Sequence, residues 1–177
     1  MKNIAVFNIK QIASMAILIA FSIVLERFFS IRTPIVTVGF GFLPVVIAAI
    51  LYGPLIGGIV GAAADFIGAI LFPIAAFFPG FTLTAFIVGF IYGVFLHRNP
   101  RTSWKILTAV VCTILLGDLF INTYWLTIIM GQGMIALLPA RITKCLIMLP
   151  IRFFSIRIID HRLIDDYIAP LLQPTWK

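Results

Sequence analysis

The sequence predicts an all-α polytopic membrane protein of six transmembrane helices, and three features carry that prediction. The first is composition: of 177 residues, 62% are hydrophobic and 11% charged, whereas soluble domains are about 45–50% apolar and about 25% charged. The second is that the apolar residues fall in long runs ended by Gly and Pro. The third is length: at about 20 residues per span, six helices use about 120 residues and leave only short loops and tails. Too few charges remain to cover a water-facing surface, so a soluble enzyme, a DNA-binding domain and a disulfide scaffold are excluded. Cys112 and Cys145 lie inside apolar runs and read as neither a disulfide nor a metal pair.

The first helix runs from Ile9 to Phe28. Lys2 and Lys10 precede it like the start of a signal peptide. The run reaches Glu26-Arg27 without a small-residue cleavage site, so it reads as a retained span. The second ends at Tyr52 before Gly53-Pro54, its start blurred by Gly39, Gly41 and Pro44. The third runs from Pro54 to Phe72 and stops at Pro73, and the fourth from Gly80 to Leu96. The fifth spans Trp104 to Met130 before Gly131-Gln132-Gly133. The sixth runs from Ile135 to Ile159 with Pro139 and Pro150 inside it, ahead of a tail made polar by Asp160, Asp165 and Asp166. The whole chain, residues 1–177, reads as a single domain.

Cations set the expected orientation. With both termini cytoplasmic, Lys2, Lys10, Arg98, Arg101, Lys105, Arg152, Arg157, Arg162 and Lys177 fall inside, and Arg27, Arg32, Arg141 and Lys144 outside. The net charge of +7 therefore reports topology in the bilayer rather than a nucleic-acid partner.

Ionised groups at membrane depth cost about 2.5–3.5 kcal/mol on insertion scales, so they face protein, a cavity or a ligand. Asp65 and Asp118 are two such groups. Asp118, Asn122 and Trp125 follow i, i+4, i+7 spacing on one helical face. Arg141 and Lys144 are i, i+3 neighbours towards the outer end of helix six, and Arg27 and Arg32 flank the outer end of helix one. The uncharged aromatic segment from Phe72 to Phe81 lies between helices three and four. An acid and amide at depth, cations outward and aromatics over the mouth suit a ligand that is flat and heteroaromatic at one end and anionic at the other. The bland alternatives stay open: snorkelling for Arg27 and Arg32, a structural ion pair of Asp65 or Asp118 with Arg141 or Lys144, and interfacial packing for Trp125 and the phenylalanines.

Small residues form a second pattern. Gly57, Gly61 and Asp65 repeat every four residues, as do Gly89 and Gly93, and Ala16 and Ala20 make an AxxxA in helix one. Such stripes let helices approach closely. The glycines suit packing within the chain, and the alanines suit either that or docking to another membrane protein. There is no GxxxxGK[ST] for ATP, no catalytic or metal constellation, hence no expected cofactor, and no inverted repeat of two halves. A binding protein of this kind needs a partner to supply energy.

The chain resembles the substrate-binding S components of energy-coupling factor (ECF) vitamin transporters, most closely the folate-specific ones. The resemblance rests on Glu26-Arg27-Phe28-Phe29-Ser30-Ile31, Gly41-Phe42-Leu43-Pro44, Tyr52-Gly53-Pro54, Gly57-Gly58-Ile59-Val60-Gly61 with Asp65, Phe78-Pro79-Gly80-Phe81-Thr82, and Leu138-Pro139-Ala140-Arg141-Ile142 with Lys144. It implies six helices with cytoplasmic termini, an outward-facing vitamin site closed by loops, and a toppling motion that carries the site inward. It also implies a membrane coupling protein and two ATPases as partners, with Ala16 and Ala20 as the docking motif. In this reading Asp65 and Asn122 bond the pterin edges of folate, and Trp125 and Phe81 stack on its ring. Arg27, Arg141 and Lys144 serve as cation partners, and Asp118 is left between ligand and structural roles. An S component for riboflavin or pantothenate, and a small channel or intramembrane enzyme, are the competing readings.

Overall fold

The computed structural model describes residues 9–32, 37–73, 77–97, 102–131 and 133–159. Among the described residues, six helices make the architecture: α1 (Ile9–Phe28), α2 (Phe42–Tyr52), α3 (Pro54–Leu71), α4 (Pro79–Leu96), α5 (Ser103–Met130) and α6 (Met134–Ile159). Two short strands, β1 (Ser30–Arg32) and β2 (Thr37–Gly39), pair antiparallel between α1 and α2, with Ile31 opposite Val38. Five of the helices are long and apolar enough to cross a bilayer. Their outer faces carry large apolar side chains such as Leu55, Ile59, Ile70 and Leu146, while Asp118, Lys144 and Arg152 are buried. Polar groups inside and apolar groups outside are what a lipid solvent demands.

The second helix departs from expectation. It has 11 residues, about 16 Å of helix, which is short of the ~30 Å hydrocarbon core. The blurred start has a local cause: Gly39 belongs to β2, Gly41 caps α2, and Pro44 sits in the first turn, where backbone N–H groups have no helical partner to lose. Every residue from Pro44 to Ile50 is buried, so α2 is the central helix of the bundle, apolar all round as such a position requires. It meets α3 at Gly53, whose φ of +95° excludes a side chain at little cost only for glycine. Pro54 then starts α3 with the φ that a first helical turn prefers. His97, just past α4, braces this corner through a 2.8 Å hydrogen bond between Nδ1 and the Ile50 carbonyl oxygen.

The glycine stripes pack within the chain. A Cβ on Gly57 would lie 2.5 Å from Ala49 Cβ and 2.8 Å from the Gly89 carbonyl oxygen. One on Gly61 would lie 2.6 Å from the Ala85 carbonyl oxygen, and one on Gly93 would collide with Pro54. Helices α2, α3 and α4 thus touch backbone to backbone.

The fifth span is not a uniform α-helix. Thr113–Ile121 is wound as a π-helix between two α-helical stretches, a rare geometry that recurs at functional sites. Tyr92 of α4 is fully buried against it and accepts a 3.0 Å hydrogen bond from Thr113 Oγ1. Thr123 Oγ1 donates back to the Asp118 carbonyl at 3.4 Å, five residues away. In α6, Pro139 and Pro150 are absorbed into one continuous helix.

Replacing Gly89 by Val is expected to lower stability by about 1–3 kcal/mol through overpacking. Thermal unfolding of the detergent-purified protein checks this against Gly133→Val, where no atom lies within 4 Å of the added Cβ.

Candidate functional site

A cavity of about 890 Å³ opens between the six helices, with Phe42 and Val45 contributed by α2 and with β2 also in its lining. It falls within the range of small-molecule sites, about 300–1,000 Å³. Its two ends differ chemically.

One end is aromatic, with a single acid and a single cation. Arg27 of α1, Asp65 of α3, and Phe77, Phe78 and Phe81 around the start of α4 line it. Asp65 Oδ2 accepts a 2.7 Å hydrogen bond from Thr82 Oγ1, which ties α3 to α4 and leaves the other carboxylate oxygen outside that bond. Arg27 acts on Asp65 electrostatically, and its guanidinium lies beside Gly68 one turn further along α3. Phe78 meets Phe81 edge-on at 6.0 Å between centroids and Trp125 at 5.4 Å. Gly80 makes that cluster possible, since a Cβ there would lie 2.6 Å from the Trp125 ring.

The other end is ionic. Asp118, in the π-helical stretch, lies twelve residues before the end of α5, about 18 Å along the axis, while Asp65 lies six residues, about 9 Å, before the end of α3. Its carboxylate receives Lys144 Nζ at 2.6 Å on Oδ1 and Arg152 Nη2 at 2.8 Å on Oδ2. All three side chains are less than a tenth exposed. The Arg152 guanidinium also lies over the Phe42 ring, 5.3 Å from its centroid, a cation–π contact. Arg141 is 4% exposed and donates a long 3.4 Å bond from Nη2 to the Asn122 carbonyl oxygen. Side chains tilt towards a helix N-terminus, which lets Arg152 reach back to the carboxylate that Lys144 approaches from the other side.

Of the residues singled out in the sequence, Arg27, Asp65, Phe81, Asn122, Arg141 and Lys144 line the cavity. Trp125 does not: it lies beside the cavity against Phe78 and donates Nε1–H to Thr84 Oγ1 at 3.2 Å. The looser i→i+5 winding of the preceding stretch shifts the i, i+7 register, so Trp125 turns off the face that carries Asp118 and Asn122. Ala16 and Ala20 are both exposed on the outer face of α1. The Asp118–Lys144 pair is one of the structural pairings left open by the sequence.

One correction follows: Arg152, counted above as a cytoplasmic marker, is buried on Asp118. A readable signal was present: Arg141, Lys144, Met148 and Arg152 follow i, i+3, i+7, i+11 spacing on the buried face of α6. Glu26 and Phe42 also line the cavity; both lie in motifs that carry the family resemblance, but neither was assigned to the site. Lys2, Arg98, Arg101, Arg162 and Lys177, Asp160, Asp165 and Asp166, and the Arg32 side chain lie outside the described residues, as do residues 74–76 of the aromatic segment.

The apolar helices, the buried charges and the cavity between the helices define a membrane-embedded binding protein. Residues 10–159 match the family described as "ECF transporter, substrate-specific component", and the chain belongs to that family, which supplies the substrate-binding component of a transporter rather than an enzyme. It is 45% identical over 137 residues to "Folate transporter FolT" of Clostridium novyi (strain NT), covering 77% of this chain and 80% of that protein. It is 33% identical to the protein of the same name from Leuconostoc mesenteroides subsp. mesenteroides, covering 81% and 80%. Among solved structures, "Crystal structure of FolT bound with folic acid" superposes with a TM-score of 0.80 at 35% identity, covering 84% of this chain and 90% of that one. "Structure and mechanism of the S component of a bacterial ECF transporter" shares the fold with a TM-score of 0.56 at 19% identity, covering 86% and 96%.

Asp118→Asn leaves Lys144 and Arg152 buried without their counter-charge, and a loss of about 3–5 kcal/mol in stability is expected. Thermal unfolding of the purified variant measures it.

Proposed function

We propose that this chain is the folate-binding subunit of an ECF importer in a prokaryotic cell membrane. The likeness to the folic acid-bound FolT structure over 90% of that chain supports this reading most directly. The chemistry of the cavity agrees with it. Folate is flat and rich in N–H donors at its pterin end, aromatic in its aminobenzoyl linker, and carries two carboxylates on its glutamate. Asp65 offers an acceptor beside the Phe78 and Phe81 rings, which suits a pterin edge and face. Arg27, Arg141 and Lys144 are the cations for carboxylates, and Asn122 supplies an amide between the two ends.

In this reading residues 1–177 form a single substrate-binding domain with both termini cytoplasmic, and the site fills from outside. Lys10, Lys105 and Arg157 then mark the inner side. The partners are the membrane coupling protein and two ATPases, which hydrolyse ATP and let the subunit topple to release folate inward. The exposed Ala16 and Ala20 give α1 a shallow surface on which a partner helix can approach closely.

Equilibrium binding of the purified protein to a vitamin panel tests the proposal: folic acid binds and riboflavin does not, and the reverse result overturns it. Asp65→Asn is expected to weaken folic acid binding by about 1–3 kcal/mol, read by titration calorimetry. Ala16→Trp is expected to leave binding unchanged while abolishing uptake in cells that hold the whole transporter; loss of binding as well would remove Ala16 from a docking role.

A further inference from the structure

The corner where α5 begins and α6 ends lies outside the cavity and has its own chemistry. Arg157, in the last turn of α6, is exposed and donates Nη1–H to Ser103 Oγ. That bond brings the guanidinium to the first turn of α5, two residues before Lys105. Trp104 lies between Ser103 and Lys105 and is 75% exposed. Phe154 and Ile158 are 61% and 63% exposed, and with Arg157 they share one face of α6. Ile147, seven residues before Phe154, continues that exposed apolar row along the helix. Among the described residues, neither the first turn of α5 nor the stretch of α6 from Arg152 to Ile159 carries an acid. Two cations, an indole at a helix end and an apolar strip running away from them therefore adjoin on the lipid-facing surface.

From this arrangement we infer that the α5–α6 corner binds an anionic phospholipid, its phosphate held by Arg157 and Lys105 and an acyl chain lying along Phe154, Ile158 and Ile147. Charge complementarity selects the headgroup. A guanidinium carries five N–H donors, so one bond to Ser103 is compatible with a second acceptor, and basic groups between helix ends suit anionic headgroups. A zwitterionic headgroup brings an ammonium of its own, which the two cations repel. The apolar strip selects a lipid over a soluble anion, because a free phosphate has nothing to place on it. Trp104 is the residue type that settles at the headgroup level. A lipid held here ties the ends of α5 and α6 together and helps to set their tilt, as interfacial Trp, Lys and Arg anchors do. The inference rests on the chain spanning a bilayer and not on which vitamin fills the cavity.

The test uses the purified full-length protein in detergent micelles and follows quenching of tryptophan fluorescence by brominated phosphatidylglycerol or brominated phosphatidylcholine. The part of the quenching that disappears in Trp104→Phe belongs to this corner. Phosphatidylglycerol is expected to quench that part at a roughly 10-fold lower mole fraction than phosphatidylcholine. Lys105→Gln and Arg157→Gln are each expected to reduce the preference by roughly 5-fold, the equivalent of about 1 kcal/mol per cation, while Arg157→Lys keeps it. Lys10→Gln, which removes a cation from the start of α1, is expected to leave the preference unchanged. Folic acid affinity is expected to stay within about 2-fold in all of these variants. Equal quenching by the two lipids in the wild type overturns the inference and needs no variant to fold. An equal loss in Lys10→Gln assigns the effect to overall charge and also overturns it. Displacement of the lipid by millimolar inorganic phosphate makes this a soluble-anion site and overturns the lipid assignment. If Arg157→Gln keeps the lipid preference but no longer assembles with the partner subunits, the corner is a protein contact and the inference falls. Folic acid binding without a lipid preference removes this inference alone and leaves the folate reading standing.

Discussion

A carboxylate buried in the middle of a membrane protein must find cations, and Asp118 finds two on a single helix. Lys144 and Arg152 are eight residues apart on α6, yet both reach the same carboxylate from α5. The pairing fixes the rotation of α6, because only one face can deliver both groups. That same face carries Arg141, Met148 and Leu137 inward. Breaking such a pair costs more than the pair is worth against an apolar replacement. Its presence therefore points to a role beyond stability, and the adjoining cavity supplies that role.

Several details of the bundle serve this centre. The π-helical stretch places Asp118 on the cavity and lets Tyr92 and Thr113 pack beneath it. Phe42, at the first position of the short central helix, lies under the Arg152 guanidinium. The small-residue contacts among α2, α3 and α4 make a rigid half of the molecule against which the mouth is built, with Asp65 held by Thr82 across the α3–α4 crossing. The cavity thus sits between a tightly packed glycine-lined wall and a cationic wall.

The comparisons and the geometry answer different questions. Family membership defines a transporter's substrate-binding component and its fold. It leaves open which groups in the cavity are spent on each other. Asp118 is held by Lys144 and Arg152, whereas the Asp65 carboxylate keeps one oxygen outside its bond to Thr82. That distinction separates groups that hold the site from groups that keep capacity for a ligand.

Composition, apolar run length and Gly–Pro punctuation determined the class, the helix count and most boundaries, because hydrophobic length and backbone chemistry act locally. The end of α1 at Phe28 was readable to the residue, and the corner at Gly53-Pro54 was visible as well. The candidate set was largely legible too, since a charge at membrane depth is rare enough to stand out on its own. Tertiary structure decided the rest. Arg152 looked like one more inner-side cation beside Arg157 and Arg162, and only the approach of α5 to α6 reveals that it is buried on Asp118. Trp125 packs against Phe78 and Thr84 beside the cavity, and no propensity of the segment before it announces a π-helix. A long side chain such as that of Arg152 reaches further than one helical turn, so where its charge ends depends on the partner it meets.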